Sequence, residues 1–319
     1  MEFGVFGYSG RPSVSVIIPV RNEGQRVQAA VASIVEGRSC AFPLQIVLVD
    51  DDSSDDSCTS LPNLYSWSRD HVQLDVIRLP RWSGIPYARN CGVSAARARI
   101  LFITDANVRF PPGWDLPIRE HIRPNRVLCA TIANMDSPFR GYGGTLHIPS
   151  MGFDWLSTPT VFGGYVPLSP CTGTVLSTDL YRRAGGYDTG MPVYGAAEPE
   201  FSVRLWLSGA EIVCLPDLVL QHRFRPASER RPFLEAISGM QVHNYLRFGL
   251  LYMDRPRVLQ LLQYYASTAP HTFEKALRQV WAGDVWHRRD VLQRSLPARF
   301  DFFVRRFGLR DALGQLAIR

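Results

Sequence analysis

Asp105-Ala106-Asn107 closes the apolar run Ile100-Leu101-Phe102-Ile103-Thr104. Hard oxygen donors at i and i+2, just beyond a strand end, can grip Mg2+ or Mn2+ from one side. Such an ion neutralises the charge that builds on a departing diphosphate. Asn107 offers a neutral carbonyl, a weaker ligand than a carboxylate, and a metal-free polar cap on the strand is the plainer alternative. His222 ends another apolar run, Leu218-Val219-Leu220-Gln221-His222. Imidazole suits Mn2+ as a third ligand, and Arg223 and Arg225 can engage phosphate oxygens in pairs. A surface histidine beside a basic loop is the alternative there.

Three further groups carry the same ambiguity. Glu198-Pro199-Glu200 precedes the helix-like Phe201–Trp206. One acid could deprotonate an acceptor hydroxyl or hold a sugar hydroxyl, or both could answer the helix dipole. Asp50-Asp51-Asp52-Ser53-Ser54 could cap a helix or accept the imino proton of a uracil. Gly84 and Arg89-Asn90-Cys91-Gly92 could shape a turn that holds a nucleotide, or only join strand to helix.

The elements that must position these groups alternate in type. Ser13–Pro19, Leu44–Val49, Leu74–Leu79 and Ile100–Thr104 read as buried strands. Helical spacing is expected over Asn22–Gly37, Asn63–Asp70 and Tyr87–Ala98. That alternation implies an α/β fold with a mostly parallel sheet, whose ligands bind beyond the carboxyl ends of the strands. Asp50–Ser54 and Asp105–Asn107 both fall there. Pro111–Pro170 is irregular and rich in Gly, Pro and aromatics. Phe201–Leu207 resumes helix, and Glu211–Cys214 reads as a short strand. Arg230–Phe248, Arg255–Tyr265, Thr272–Trp281 and Asp284–Leu296 are expected as helices of a C-terminal appendage.

Composition narrows the class. The 319 residues suffice for one large domain or two modest ones, and 46% hydrophobic content fits a globular core. The six cysteines are scattered without a C-x-x-C pair, against a zinc module or a disulfide scaffold. Net charge is +6, carried almost wholly by arginine, since Lys275 is the only lysine. No nucleic-acid-binding signature accompanies it, and phosphorylated substrates are the expected use. Residues Met1–Gly10 lack a secretory pattern and no run of about 18 apolar residues occurs. A cytoplasmic location is expected, with the inner membrane face as the variant.

Taken in order, the motifs resemble the GT-A nucleotide-sugar transferases. Val16–Glu23, Val47–Asp55, Gly84 with Ala88–Gly92, and Phe102–Asn107 are similar to family-2 glycosyltransferases. Gly152–Trp155, Ser169–Gly173, Gly186–Met191, Gly195–Trp206 and His222…Arg225 resemble the polypeptide N-acetylgalactosaminyltransferases. The resemblance spans Val14 to Arg225. It implies a Rossmann-like GT-A catalytic unit over 1–226, with a donor half 1–110 and an acceptor half 111–226, followed by a helical extension over 227–319.

By resemblance, Asp51 contacts uracil, Asp105 and His222 hold Mn2+ or Mg2+, and Asn107 stands at the third metal position. Pro19, Arg21, Glu23, Gly84, Arg89, Thr104, Ala106, Gly173 and Arg225 line the donor. Glu198 and Glu200 are the catalytic acids. Ala197 replaces the first acid of the shared motif and Pro199 sits inside it. The implied reaction moves an N-acetylhexosamine or hexose from a UDP-sugar to a hydroxyl of a glycan, glycolipid or natural product. An acceptor that is phosphorylated, nucleoside-like or lipid-linked, a homodimer, and peripheral membrane contact through the C-terminal helices complete the expectation. Both stereochemical outcomes stay open: inversion if Glu198 is a base, retention if the leaving diphosphate takes the proton. The rivals are a nucleotide-sugar-binding relative that has lost turnover, a nucleotidyltransferase, and an oxidoreductase. The last two lack their Gly-rich loops.

Overall fold

Apolar residues in the first strands alternate between two faces, as the two-residue period of a pleated strand requires. The computed structural model describes residues 12–59, 61, 65, 70–170, 172–311 and 317. In chain order, β1 (Val14–Val20), α1 (Arg26–Glu36), β2 (Leu44–Asp50), β3 (Val72–Arg78), α2 (Ile85–Ser94) and β4 (Ile100–Ile103) form the first half. Its four strands are parallel in the order β3-β2-β1-β4. Ile17, Val47 and Val49 face one core, and Val16, Ile18, Ile46 and Leu48 face the other. Helix α1 covers the second core with Val27, Ala30, Val31 and Ile34, one helical stripe. Helix α2 lies on the first, where Gly92 admits it: a Cβ there would come within 2.5 Å of Ile17.

The second half adds β5 (Val108–Arg109), α3 (Asp115–His121), β6 (Arg126–Asn134), β7 (Arg140–Gly141), β8 (Gly144–Leu146), β9 (Phe153–Trp155), β10 (Thr174–Ser177), α4 (Thr178–Ala184), α5 (Ala197–Leu207) and β11 (Glu211–His222). Strand β10 runs antiparallel between β4 and β6, and β11 returns parallel to β6, giving the order β3-β2-β1-β4-β10-β6-β11-β5. The sheet is therefore parallel in its first half and mixed in its second.

Several expectations need correction. Pro111–Pro170 is not irregular throughout, because it contains β6, a nine-residue central strand. Buried along nearly its whole length, β6 shows no polar alternation to betray it. Glu211–Cys214 and Leu218–His222 are one strand, with a register shift between Leu215 and Val219 that accommodates Pro216. The helix expected at Asn63–Asp70 lies outside the described residues, apart from Tyr65 and Asp70.

The C-terminal chain forms α6 (Ala227–Ala236), α7 (Ser238–Tyr252), α8 (Arg255–Thr268), α9 (Pro270–Ala282), α10 (Val285–Ser295) and α11 (Phe300–Arg306). The single helix expected over Arg230–Phe248 is broken at Ile237, after Pro232 has removed one amide donor from α6. These helices have no separate core. Leu246, Leu250, Leu261, Val280, Phe303 and Val304 join the same cluster as Ile17, Val49, Phe201 and Leu205.

A buried ion pair ties α7 to the segment that follows α4. Arg247 Nε donates to Asp188 Oδ2 at 2.8 Å and Nη1 to Asp284 Oδ1 at 2.7 Å. Burial alone would raise the Asp188 carboxyl, but the hydrogen bonds and charge of Arg247 outweigh it and hold it below the usual range. The stability this supplies is complete above the ordinary aspartate pKa of about 3.9 and is lost as pH falls through the depressed native value. Arg247→Met strands a buried carboxylate and is expected to lower the unfolding free energy by about 3–5 kcal/mol, read from urea melts at neutral pH.

Candidate active site

The carboxyl ends of β1, β2 and β4 deliver three polar segments to one edge. In register, Val20 lies beside Asp50 and Ile17 beside Ile103, so the chain leaves each strand within a few residues of the others. Pro19 sits beyond the last β1–β4 rung at Ile17, where its missing N–H costs no bond to β4.

Asp51 follows β2 and is 4% exposed. Its carboxylate accepts from the backbone amides of Ser83 at 2.7 Å and Gly84 at 2.8 Å, at the start of α2. Gly84 caps that helix with φ 89°, and a Cβ there would lie 2.4 Å from the Val193 backbone. Only glycine permits that approach, and the amide of Ile85 donates to Val193 O at 2.9 Å. Arg21 donates to the carbonyls of Asp51 and Asp52 and stacks over Trp82 at 4.7 Å. Trp82 is half-exposed and was not anticipated; an aromatic two residues before a required glycine was the available signal.

From α2, Arg89 reaches across the strand ends. Its side chain is 2% exposed. It donates through Nη1 to Glu198 Oε1 at 2.8 Å and through Nη2 to Asp105 Oδ1 at 3.1 Å. The guanidinium also lies 5.4 Å from the centre of the Tyr187 ring. Asn90, the next residue, is a clamp: its amide binds Tyr187 O and its oxygen accepts from Tyr187 N and the Tyr181 hydroxyl. Glu198, in the first turn of α5, keeps 20% of its side chain exposed. Pro199 is tolerated beside it because the first helical turn needs no amide donors.

Asp105 and His222 meet. Asp105 Oδ2 lies 3.8 Å from His222 Nε2, and the same carboxylate accepts from the Thr172 hydroxyl. Their side chains are 27% and 13% exposed. Burial lowers the His222 pKa, against the charges of Asp105 and Glu23 that raise it, which favours the neutral ring a metal ligand needs. His222 Nδ1 is buried without a hydrogen-bond partner. A neutral imidazole and a carboxylate at this separation fit a divalent cation, since donors about 2.1 Å from an ion span up to about 4.2 Å. Among the described residues no third His, Cys, Asp or Glu completes a cluster. Glu23 and Arg225 close the edge, with Arg225 Nη2 donating to Glu23 Oε1 at 2.6 Å and Arg26 holding the other oxygen at 2.8 Å.

The remaining expected site residues make further contacts. Asn107 donates its amide to Arg223 O at 2.9 Å and accepts from Arg223 N on its own backbone carbonyl. It thereby pins the end of β11 that carries His222. Thr104 and Ala106 are buried behind the edge. Gly173 has φ 111°, and a Cβ there would come within 2.7 Å of Ala130, so its place is in the core; its neighbour Thr172 is the one that reaches Asp105. Glu200 is not at the site. Its side chain is fully buried, and its carboxylate accepts two hydrogen bonds from Arg204 and one from the Tyr252 hydroxyl. Arg204 in turn binds the carbonyls of Ala184 and Gly186. The catalytic role expected for Glu200 is corrected to a structural one, because no substrate atom can reach that carboxylate. Glu200→Gln is expected to lower the melting temperature substantially while UDP affinity, measured by calorimetry, stays within about twofold. Removing the charge of one member of a buried pair costs about 3–5 kcal/mol.

Two similar proteins are N-acetylgalactosaminyltransferase 6 of Drosophila melanogaster and probable polypeptide N-acetylgalactosaminyltransferase 8 of Homo sapiens. Each is 26% identical over 272 residues, covering 76% and 79% of this chain but only 38% and 42% of theirs. The chain thus spans less than half the length of these relatives. The crystal structure of GalNAc-T7 with UDP, GalNAc and Mn2+ shares the fold at TM-score 0.71 and 20% identity, over 92% of this chain and 56% of that one. The model of glycosyl transferase family 2 matches residues 15–183, more than half of the 319 residues. From the first strand through the clamp around Arg89 to α4, the chain belongs to glycosyl transferase family 2.

Proposed function

We propose that the chain transfers an N-acetylhexosamine or hexose from a UDP-sugar to a hydroxyl acceptor, with Mn2+ or Mg2+ held at Asp105 and His222. The observation that carries this reading is the meeting of those two side chains, drawn from positions 105 and 222, with Arg89 and Glu198 bound to the same cluster. The relatives named as N-acetylgalactosaminyltransferases, and the neighbour solved with UDP, GalNAc and Mn2+, support the choice of donor and metal. Arg21, Trp82 and Asp51 would receive the uridine beyond β1 and β2. Arg225, on the far side beside Glu23, would face the phosphates.

The bound cation would supply charge neutralisation on the diphosphate as the glycosidic bond breaks. The chain's own residues do the rest. Arg89 fixes Asp105 and Glu198 relative to each other, and Thr172 holds Asp105 from the other side. Glu198, with Oε1 committed to Arg89, takes the acceptor proton on Oε2, so the hydroxyl attacks the anomeric carbon from the opposite face and the configuration inverts. One guanidinium between two carboxylates leaves a net charge of −1, which favours a cation there.

Glu198→Gln is expected to slow Mn2+-dependent UDP release from UDP-N-acetylgalactosamine or UDP-N-acetylglucosamine by about 10^2-fold or more, the usual contribution of a general base, with UDP affinity retained. Turnover near that of the unaltered chain would reject the base and favour retention, with the leaving diphosphate as proton acceptor.

A further inference from the structure

A single side chain on α7 fastens the C-terminal helices to the segment that launches α5. Asn244 is fully buried. Its amide nitrogen lies 2.9 Å from Pro192 O, 3.1 Å from Gly195 O and 3.2 Å from Tyr194 O, and its oxygen lies 3.1 Å from His243 Nδ1. Two amide hydrogens thus serve three carbonyls of one loop.

That loop is strained. Val193 has φ 61° and Ala196 φ 64°, both in the left-handed region, and for a β-branched valine this is a marked outlier. Such conformations persist only where the surroundings over-determine them, and they cluster where geometry serves function. Here two restraints meet. On one side Gly84, held by the Asp51 carboxylate, pairs with Val193. On the other stands Asn244. Ala196 is the N-cap of α5, and its carbonyl accepts the amide of Glu200 at 2.9 Å, so its backbone angles decide how the first turn leaves the loop. Glu198 is the second residue of that turn.

We propose that Asn244 is a positioning residue for Glu198: by gripping Pro192, Tyr194 and Gly195 it holds the strained loop that aims the Glu198 carboxylate, which makes α7 part of the catalytic apparatus. The inference rests on the reading of Glu198 as the base. The competing role is a plain tether of α7, which would affect stability and leave turnover intact.

A double-mutant cycle on the full chain separates the two. Asn244→Leu keeps the branched side-chain shape at a larger volume and removes the amide donors; Asn244→Asp, which keeps the volume and also lacks them, serves if the leucine variant does not fold. The readout is kcat for UDP release from UDP-N-acetylgalactosamine in Mn2+, with water as acceptor, beside UDP affinity by calorimetry. The variant is expected to lose about 10–100-fold in kcat, the scale of a misplaced catalytic group, with UDP affinity within about twofold. Placed in the Glu198→Gln background, the same change is expected to alter kcat less than about twofold, because the group it positions has gone. An equal loss in both backgrounds, or full turnover in the single variant, overturns the inference. Unimpaired turnover by Glu198→Gln alone overturns the reading of Glu198 instead, and is told apart by that single variant.

Discussion

The site is organised around one buried cation. Arg89 carries its charge to a place 2% exposed to solvent and holds Glu198 on one arm and Asp105 on the other. Burying a guanidinium is costly unless carboxylates and hydrogen bonds compensate it, and the geometry must be good for them to do so. The demand acts in both directions. Arg89 stays in place because two carboxylates meet it, and those carboxylates, from residues 93 positions apart, share one fixed spacing because Arg89 lies between them. Charge-assisted hydrogen bonds from one planar fork are well suited to that task.

Around this centre the remaining contacts form a frame. Asp51 holds the start of α2, from which Arg89 extends. Gly92 lets the same helix press against β1 and β2. Asn107 pins the end of β11, which sets His222 opposite Asp105. The Glu200–Arg204–Tyr252 cluster joins α5 to α7, and the Asp188–Arg247 pair joins the segment between α4 and α5 to α7. The C-terminal helices share the core of the transferase fold, and Asn244, their most buried polar residue, binds the loop from which α5, with Glu198 in its first turn, leaves. A chain that spans less than half the length of its N-acetylgalactosaminyltransferase relatives therefore still encloses a densely cross-braced site.

Much of this was legible in the sequence, for a physical reason. Helices with one apolar stripe leave a periodic signal, and apolar β-branched runs closed by a proline or an acidic cluster mark strands without one, so β1, β2, β4 and α1 fall near their expected places. Asp105 and His222 stood at the ends of such strands, where an open α/β sheet places its ligands. Strand β6 was hidden because a continuous apolar run amid glycines and prolines has no period to read. Glu200 was misjudged because spacing reports neighbours along a helix, not which face meets solvent: Glu198 and Glu200 are two residues apart, and a helix turns them to opposite sides. Thr172 lay inside a recognised motif without a role of its own, and Asn244 was out of reach, since it acts on a segment distant in sequence and carries no pattern.

The central claim is that Arg89 builds one metal–diphosphate site by fixing Asp105 against His222 while orienting Glu198. Calorimetric titration of UDP with and without Mn2+ into the unaltered chain and into Arg89→Met tests it most directly. The account predicts that Mn2+ strengthens UDP binding to the unaltered chain and that this enhancement is largely lost in the variant. An Arg89→Met chain that folds and keeps the full Mn2+ enhancement would contradict it.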